Sequence, residues 1–538
     1  MSKYLILITI GPVQEFIAAA RRTRDLWFGS WLLSELSRAA AQKVFDLQGS
    51  LIFPHDEVIT ASPGKDMETS AQQSANVANK IVASITTENI TETGEVIQQA
   101  VQKRLTELRD DAFNSIKVWT QGDRVLAEQQ VDALIECYWV AVPFTESKEY
   151  KTQRDLLENL MAARKSTRHF TQIQLSETEQ REHNQIKLSK EQQRYPKSSL
   201  DGQRESVIPE TRYLARSDTL DQRRRKIWQL YNDFNAKQAE RLSGVDLLKR
   251  RGNHKADEAD FPSTSHFAAL PFLQHLADTY GADKIHSLFN HYRKTLEDLI
   301  ANNKMIQLEK LDERYREPFG VIGNYDASIL YMSRLAEGID TKDIETRSSA
   351  ERALRDFLSL AANGAEPGAY YAILQADGDS MGTVIDNQLE IKDHQKLSRQ
   401  LATFAKKAEE IVLNNRGALA YAGGDDVLAL LPVDTVLQCA KDLHDRFDAL
   451  VGTGYCCDTC GKPRFVTTTG LSPTLSVGIA ICHHLEPLND ALALVRSAEK
   501  AQRLFAQYGV VVDRIAVGSI TDESAVRDAL QGCDAVVH

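Results

Sequence analysis

The chain has few cysteines, no long hydrophobic run and no excess of positive charge. Its seven cysteines among 538 residues are odd in number and scattered, which excludes a disulfide scaffold and predicts a reducing, cytoplasmic location. The apolar start Tyr4–Ile10 is broken at once by Gly11-Pro12, so it predicts a buried strand and no membrane span. A formal net charge of -11 argues against a protein that coats nucleic acid, although it permits local basic faces.

The chain does contain two acidic clusters next to apolar segments. Asp377-Gly378-Asp379 follows the apolar run Tyr370–Leu374, and Gly423-Gly424-Asp425-Asp426 lies between the apolar segments 418–421 and 427–431. The second pattern predicts a β-hairpin whose glycines allow positive φ and close approach of a ligand. Glycine and aspartate also dominate ordinary tight turns, so this pattern alone does not separate a site from a turn.

The order of the elements around the clusters favours a site. The first cluster is followed by a helix over about 394–413 and then by the hairpin; next come a helix over about 435–451, a strand over 474–481 and a helix over about 488–507. This βαββαβ order is that of the ferredoxin-like palm of polymerases and nucleotide cyclases. The sequence therefore predicts that the two acidic clusters meet at one edge of a sheet.

Carboxylates that meet in this way predict a nucleotidyltransferase with a divalent cation. The predicted catalytic residues are Asp377, Asp425 and Asp426, and the predicted ligands of Mg²⁺ or Mn²⁺ are these three side chains with the Gly378 carbonyl. Such hard cations prefer oxygen ligands and suit in-line attack of a hydroxyl on a nucleotide phosphate. Asp379 is predicted to be a further ligand or a helix N-cap, and the cap is the preferred role.

Backbone groups near both clusters are predicted to bind the nucleotide. The amides of Ser380, Met381 and Gly382 open a helix or turn, where they suit phosphate oxygens. Gly423 and Gly424 leave the hairpin open to a ligand.

The fold class is predicted to be α+β, with two ferredoxin-like palms separated by a mostly helical domain. Residues 1–145 form the first, palm-like block, which begins strand-then-helix at Gln14 but has no acidic pair at its first turn, so it is expected to be structural. The helical block covers 146–365, the GGDD palm 366–520, and a short tail 521–538.

Basic runs punctuate the middle of the chain, at 223–226 (Arg-Arg-Arg-Lys), 249–251 (Lys-Arg-Arg), Arg164-Lys165 and Arg168. Phosphate or partner contacts are one interpretation, and a solvated helical surface is the other.

A cysteine group lies between the last palm helix and the last palm strand. Cys456, Cys457 and Cys460 have knuckle-like spacing, and Cys482 follows. Thiolates at this spacing can hold Zn²⁺. A second Cys-x-x-Cys is absent, so the fourth ligand is unspecified and a reduced loop is the alternative.

Several motifs together resemble the large subunit of type III CRISPR effector complexes, in its Cmr branch. They lie at Gly11–Ser30, Ala163–Arg168, Phe261–Phe272, Ala376–Gly382, Gly423–Asp426 and Leu475–Leu488. The resemblance implies an RNA-guided antiviral subunit that condenses ATP into cyclic oligoadenylate, or a related AMP-containing messenger, when target RNA binds. Its implied partners are guide RNA, target RNA, and the backbone and guide-5′-end-binding subunits, with no membrane.

The resemblance also implies roles for two further residues. Lys500 falls where related palms have a triphosphate-binding lysine, with an exposed helix lysine as the alternative. His483 follows the last palm strand and is expected near the nucleotide. Two other functions stay open: a scaffold with a vestigial cyclase, and a free-standing cyclic nucleotide synthase.

The chain departs from the family pattern in three places. The first strand begins at Tyr4 with no HD-type nuclease before it, so DNA cleavage by that route is not expected. No cysteine quartet precedes the segment 239–250, where relatives bind zinc. The carboxy-terminal helical domain of the family is not expected, since only about twenty residues follow the strand-like segment 514–517.

Overall fold

A computed structural model describes most of the chain. The described ranges are residues 1–56, 77–145, 150–167, 196–252, 261–306, 309–316, 319–456 and 462–496. The predictions for Arg168, Cys457, Cys460 and Lys500 therefore lie outside the described residues. Within the described ranges, no helix is both long and apolar enough to cross a lipid bilayer.

The first palm is a four-stranded antiparallel sheet with helices packed on it. Its strands are β1 (Ser2–Gly11), β2 (Ser50–Phe53), β3 (Lys80–Thr87) and β4 (Glu136–Pro143). Its helices are α1 (Gln14–Ala18), α2 (Thr23–Asp46), α3 (Ile90–Asn114) and α4 (Gln121–Asp132). The strand order β2-β3-β1-β4 is that of a ferredoxin-like fold, which confirms the predicted first palm.

The helix predicted from Gln14 is interrupted before α2. The Asp25 carboxylate accepts hydrogen bonds from the backbone amides of Arg21 and Arg22, at 3.3 and 3.1 Å. These bonds satisfy amides that would otherwise be unpaired at a helix start, so α2 begins at Thr23.

The middle of the chain is predominantly helical, as predicted. Its helices are α5 (Tyr150–Ser166), α6 (Leu220–Phe234), α7 (Gly244–Arg251), α8 (Thr264–Tyr280), α9 (Ala282–Ala301), α10 (Met332–Glu337) and α11 (Ile344–Ala362). Short 3₁₀ segments connect several of them.

The basic run on α7 is buried, so both interpretations of it, a phosphate contact or a solvated surface, are wrong for Lys249 and Arg250. These side chains are 1% and 0% exposed. Arg250 forms ion pairs with Asp25 of the first palm and with Glu240. Lys249 donates to the backbone carbonyls of the α1 region, including that of Ala19 at 2.7 Å. Helix α7 therefore joins the middle segment to the first palm.

Most of the basic run on α6 also forms ion pairs within the protein. Arg223 forms two hydrogen bonds with Asp340, at 2.7 and 3.0 Å, and Arg224 pairs with Asp343 at 2.6 Å. Arg225 alone in this run is classed as exposed. The predicted phosphate-binding surface is therefore wrong for Arg223 and Arg224.

The second palm repeats the topology of the first. Its strands are β5 (Tyr370–Gly378), β6 (Ala418–Gly423), β7 (Asp426–Leu431) and β8 (Leu475–His483). Its helices are α12 (Met381–Asp386), α13 (Ile391–Asn414), α14 (Val436–Leu450) and α15 (Leu488–Arg496). The order β6-β7-β5-β8 confirms the predicted βαββαβ palm.

The second sheet is covered on both faces. Side chains of β5 alternate, so Ala372 and Leu374 pack toward α13 and α14, whereas Tyr371 and Ile373 pack toward α2, α8 and α15. The second face belongs to one apolar core that continues into the helical middle and the first palm. The acidic edge of this sheet is therefore held on a rigid support.

Helix α5 ties the second palm to the first. Its Tyr150 hydroxyl lies 2.6 Å from Nδ1 of His394 on α13. Its Arg154 guanidinium donates to the carbonyls of Ile385 and Gln388, at 2.8 and 3.3 Å. These contacts fix the carboxyl end of α12, the short helix that follows the first acidic cluster.

Candidate active site

The Gly-Gly-Asp-Asp segment forms a tight hairpin, as predicted. Gly423 pairs with Asp426, so the loop consists of Gly424 and Asp425. Gly424 has a φ of 73°, the left-handed value that type II′ turns place on glycine at this position. This backbone angle favours glycine because other residues rarely adopt it. A Cβ added at Gly424 would meet nothing within 4 Å, so the tip of the hairpin is open to a ligand.

The sheet register brings the two acidic clusters together. Ala376 of β5 pairs with Val427 of β7, so the next position places Asp377 opposite Asp426. The carboxyl groups of these two aspartates are within hydrogen-bonding reach of each other. Asp425 lies against the following residue, since a Cβ added to Gly378 would be 2.8 Å from the Asp425 Cβ. The predicted convergence of the carboxylates is confirmed.

Two of the three carboxyl groups are held partly protonated near neutral pH. Burial raises the pKa of Asp425 to about 6, and the charge of Asp377 adds to this, although backbone amides of Asp425 and Gly378 oppose it. Burial and the charges of Asp425 and Asp377 raise the pKa of Asp426 to about 7. The cluster therefore has an excess of negative charge that a cation would relieve.

The donor set is suited to a hard cation but is not a closed cage. Within the described ranges, no three histidine, cysteine, aspartate or glutamate side chains already converge as a complete set of metal ligands. The catalytic and metal-binding roles of Asp377, Asp425 and Asp426 therefore stay predictions, as does that of the Gly378 carbonyl.

Asp379 is anchored to β8, and the predicted N-cap role is wrong. Its carboxylate accepts from the Thr474 hydroxyl at 2.6 Å and from the Ser476 hydroxyl at 2.7 and 2.8 Å. Its backbone amide donates to the Thr474 carbonyl at 2.7 Å. Ser380 occupies the cap position of α12, and no side chain caps that end. Asp379 therefore shapes the turn after the first acidic strand.

The residues at the start of α12 differ in how far they are exposed to solvent. Ser380 has a φ of 61°, and it is exposed. Met381 is 5% exposed and packs in the apolar core beneath Gly378, so its side chain is structural. A Cβ added to Gly382 would meet nothing within 4 Å. The phosphate contacts by the backbone amides of residues 380–382 stay predictions.

His483 lies at the wrong end of the sheet for the predicted role beside the carboxylates. It pairs with Tyr370, seven residues before Asp377 on β5. Seven residues of strand span about 23 Å. Its neighbour His484 is buried and contacts the Ser265 hydroxyl at 2.9 Å, so this end of β8 joins the second palm to helix α8.

The cysteines in the described ranges do not group as a metal site. Cys482 is 1% exposed and packs in the core on the side of α8 and α15. Cys456 is exposed, and its Sγ lies 3.2 Å from the Thr453 carbonyl, in the loop after α14 on the opposite side of the sheet. Cys482 is therefore not a zinc ligand together with Cys456, and the prediction is wrong for it.

Tyr421 is a neighbour of the acidic edge that the sequence did not single out. Tyr421 pairs with Leu428 and lies two residues before Gly423, the partner of Asp426, so it faces the same side as Asp426. The register of β6 against β7 shifts just before it, between Leu419 and Tyr421, so Ala420 is an extra residue. Burial, with the charges of Asp426 and Asp425, raises the pKa of the phenol above its usual value. In the sequence, a tyrosine two residues before the Gly-Gly-Asp-Asp turn was the signal that could have placed this side chain near the carboxylates.

A ferredoxin-like sheet that joins three carboxylates at one edge defines a palm domain of the nucleotidyl cyclase-like class. Residues 370–506 match the family described as Cas10/Cmr2, second palm domain. Residues 5–110 match the family described as CRISPR-associated protein Cmr2, N-terminal. Both matches occur on this chain in this order, and the chain resembles the large subunit of type III-B CRISPR effector complexes.

Individual relatives agree with these matches. The CRISPR system Cmr subunit Cmr2 of Pyrococcus furiosus is 25% identical over 566 aligned positions, which cover 91% of this chain and 59% of that protein. Cmr2 of Saccharolobus solfataricus is 33% identical over 109 positions, 18% of this chain and 10% of that protein. The chain therefore spans about three fifths of the Pyrococcus protein.

Two cryo-EM structures of type III-B Cmr-beta share the fold at 15% identity. The apo state gives a TM-score of 0.57 and covers 94% of this chain and 67% of the matched chain. The state bound to cognate target RNA gives a TM-score of 0.61, and the match covers 92% of this chain and 67% of the matched chain.

Proposed function

We propose that this chain is a metal-dependent nucleotidyl cyclase subunit of an RNA-guided type III effector complex. In this proposal, target RNA activates the conversion of ATP into cyclic oligoadenylate, or a related AMP-containing messenger, with release of pyrophosphate. The observation that carries the proposal is the meeting of Asp377, Asp425 and Asp426 at one edge of the second sheet.

The residues present fit Mg²⁺ or Mn²⁺. All three side chains offer carboxylate oxygens, the Gly378 carbonyl is the proposed fourth ligand, and the raised pKa values of Asp425 and Asp426 mark uncompensated negative charge. When bound, such a cation neutralises charge that develops on the α-phosphate and on pyrophosphate.

The chain itself would orient two nucleotides at this edge. A bond forms between a 3′-oxygen and an α-phosphorus, the bond from that phosphorus to pyrophosphate breaks, and the hydroxyl proton is released. The open tip at Gly424 and the open backbone at Gly382 leave room for phosphate groups beside the carboxylates. The anchored Asp379 keeps the turn that carries Asp377 in place.

The proposed partners rest on the relatives. The Pyrococcus relative is a subunit of a Cmr system, and one of the similar structures is bound to cognate target RNA. We extend to this chain assembly with guide RNA, target RNA, and the backbone and guide-5′-end-binding subunits.

Mass spectrometry of reaction products tests the proposal. The assembled complex is incubated with ATP, Mg²⁺ and target RNA, for the wild type and for a variant that carries both Asp425→Ala and Asp426→Ala. We expect cyclic oligoadenylate from the wild type and a loss of about 10³-fold or more in the variant, because the cation loses its ligands. Glu136→Gln, at the matching edge of the first sheet opposite Gly11, should leave the product unchanged.

Other outcomes select the alternative functions. A silent wild-type complex would support a scaffold whose cyclase is vestigial. Product from the isolated chain without RNA would support a free-standing synthase. Product that persists in the double variant would overturn the assignment of the site.

A further inference from the structure

Tyr421 occupies the space above Gly423, in the row of the carboxylates. A Cβ added to Gly423 would lie 1.8 Å from Oη and 2.3 Å from Cζ of Tyr421. Gly423 pairs with Asp426, so the phenol lies over the cross-strand neighbour of that carboxylate. Glycine at position 423 is therefore what allows the tyrosine hydroxyl to lie at the acidic edge.

Two hydroxyls at the start of the neighbouring strand β8 are already engaged. Those of Thr474 and Ser476 both donate to Asp379. Within the described ranges, Tyr421 Oη has no hydrogen-bond partner, and it is not among the buried polar atoms without a partner. The tyrosine hydroxyl is thus an accessible donor beside a cluster that otherwise offers acceptors.

A phosphate group that approaches three carboxylates needs donors as well as a cation. Carboxylates repel phosphate oxygens, whereas a preorganised hydroxyl donor attracts them. We propose that Tyr421 is a substrate-binding residue, whose hydroxyl donates a hydrogen bond to an α-phosphate oxygen of ATP beside Asp426. This inference rests on the proposed cyclase function and adds a contact that fixes the reacting phosphate.

Tyr421→Phe tests the contact, because it keeps the ring and removes only the hydroxyl. In the assembled complex with Mg²⁺, we expect kcat/KM for ATP to fall about 10- to 100-fold, the range for a hydrogen bond to a charged group. Calorimetry should show about 10-fold weaker binding of an ATP analogue with a methylene bridge between the α- and β-phosphates. The melting temperature should stay the same, because Oη has no protein partner.

Tyr371→Phe is the matched control. Tyr371 faces the same side of the sheet and its hydroxyl also has no partner, but it lies six residues before Asp377 on β5. That separation is about 20 Å, so affinity for the analogue should not change. Gly423→Ala is the second variant: its methyl group displaces the phenol, and it should weaken analogue binding as Tyr421→Phe does.

The outcomes separate this inference from the proposed function. If the wild-type complex makes product and Tyr421→Phe binds the analogue as tightly as the wild type, the tyrosine contact is overturned and the cyclase stands. A lower melting temperature with unchanged affinity would assign Tyr421 to packing and would also overturn it. If the wild type makes no product, the cyclase proposal falls and this role falls with it.

Discussion

Where the first palm meets helix α7, buried charges meet partners of opposite sign, whereas in the second palm three carboxylates meet one another. Arg250 lies between Asp25 and Glu240, with none of its surface exposed. Burial would raise the pKa of Glu240, but the charges of Arg22 and Arg250 outweigh it and hold that pKa well below its usual value.

In the second palm, the same topology brings like charges together. Burial and mutual repulsion raise the pKa values of Asp425 and Asp426 to about 6 and about 7. The comparison shows that one βαββαβ scaffold can bury charge for stability or keep it uncompensated for binding. It also explains why Lys249 and Arg250 of α7, which pack against the first palm, were misread from the sequence as surface features.

The largest effect should come from breaking the paired charges between helix α7 and the first palm. Arg250→Ala leaves Asp25 and Glu240 buried without their shared cation, so we expect a loss of about 3–5 kcal/mol in the free energy of unfolding. Urea denaturation of the full chain measures it. Arg225→Ala, at an exposed arginine of α6, should change stability by about 0.5 kcal/mol or less. A loss as small in Arg250→Ala would contradict the buried ion pairs.

A smaller loss of stability is expected at Asp379, and its effect on product formation should distinguish it from the predicted catalytic aspartates. Asp379→Ala removes the acceptor for Thr474 and Ser476, which should lower the free energy of unfolding by about 1–2 kcal/mol. Asp379→Asn keeps one acceptor oxygen and should lose less. Product formation should persist in both variants, within about tenfold of the wild type. Complete loss of product, as expected for Asp377→Ala, would instead make Asp379 a metal ligand.

The opposite sign is expected when repulsion in the second palm is relieved. Asp426→Asn removes one of the mutually repelling carboxylates, so without divalent cation we expect the melting temperature to rise by about 1–2 °C, the shift that about 1 kcal/mol produces in a chain of this size. Product formation should be lost. Asp356→Asn on the exposed side of α11 is the control and should change neither. A melting temperature that falls in Asp426→Asn would show that the carboxylates support each other.

The dependence of the melting temperature on pH tests the same comparison, and it should be the smallest of these effects. Because the pKa values of Asp425 and Asp426 are raised in the folded state, their protonated forms stabilise the fold below the ordinary pKa of 3.8, and this stabilisation is lost as pH rises through about 6 and 7. Without divalent cation, the melting temperature of the wild type should therefore fall relative to Asp426→Asn between pH 4 and 8. Mg²⁺ should narrow the difference at pH 8. A constant difference across this range would contradict the raised pKa values.

The fold and the meeting of the acids could be predicted because both follow from local patterns. A hairpin tip and the end of a neighbouring antiparallel strand lie at the same edge of a ferredoxin-like sheet, so Asp377 and Asp426 had to approach each other. The same rule places the last residue of β8 at the start of β5, which the interpretation of His483 overlooked. That signal was present in the strand order.

Other features depend on tertiary packing that the sequence does not encode locally. Lys249 and Arg250 form a charge run typical of a solvated helix, and only the distant Asp25 and Glu240 explain why the arginine is buried. The extra residue Ala420 in β6 is a second such feature, because no local residue pattern marks it.

That extra residue, Ala420, has no partner on β7, whereas Leu419 and Tyr421 on either side of it pair with Ala429 and Leu428. Deleting it would therefore keep every other pair of the hairpin and leave each remaining side chain on its present face. What the bulge adds is local twist in the strand that leads to the acidic tip. A one-residue deletion at this position is thus a change that the hairpin can absorb, and it would alter the angle at which the tip is presented more than the residues that the tip carries.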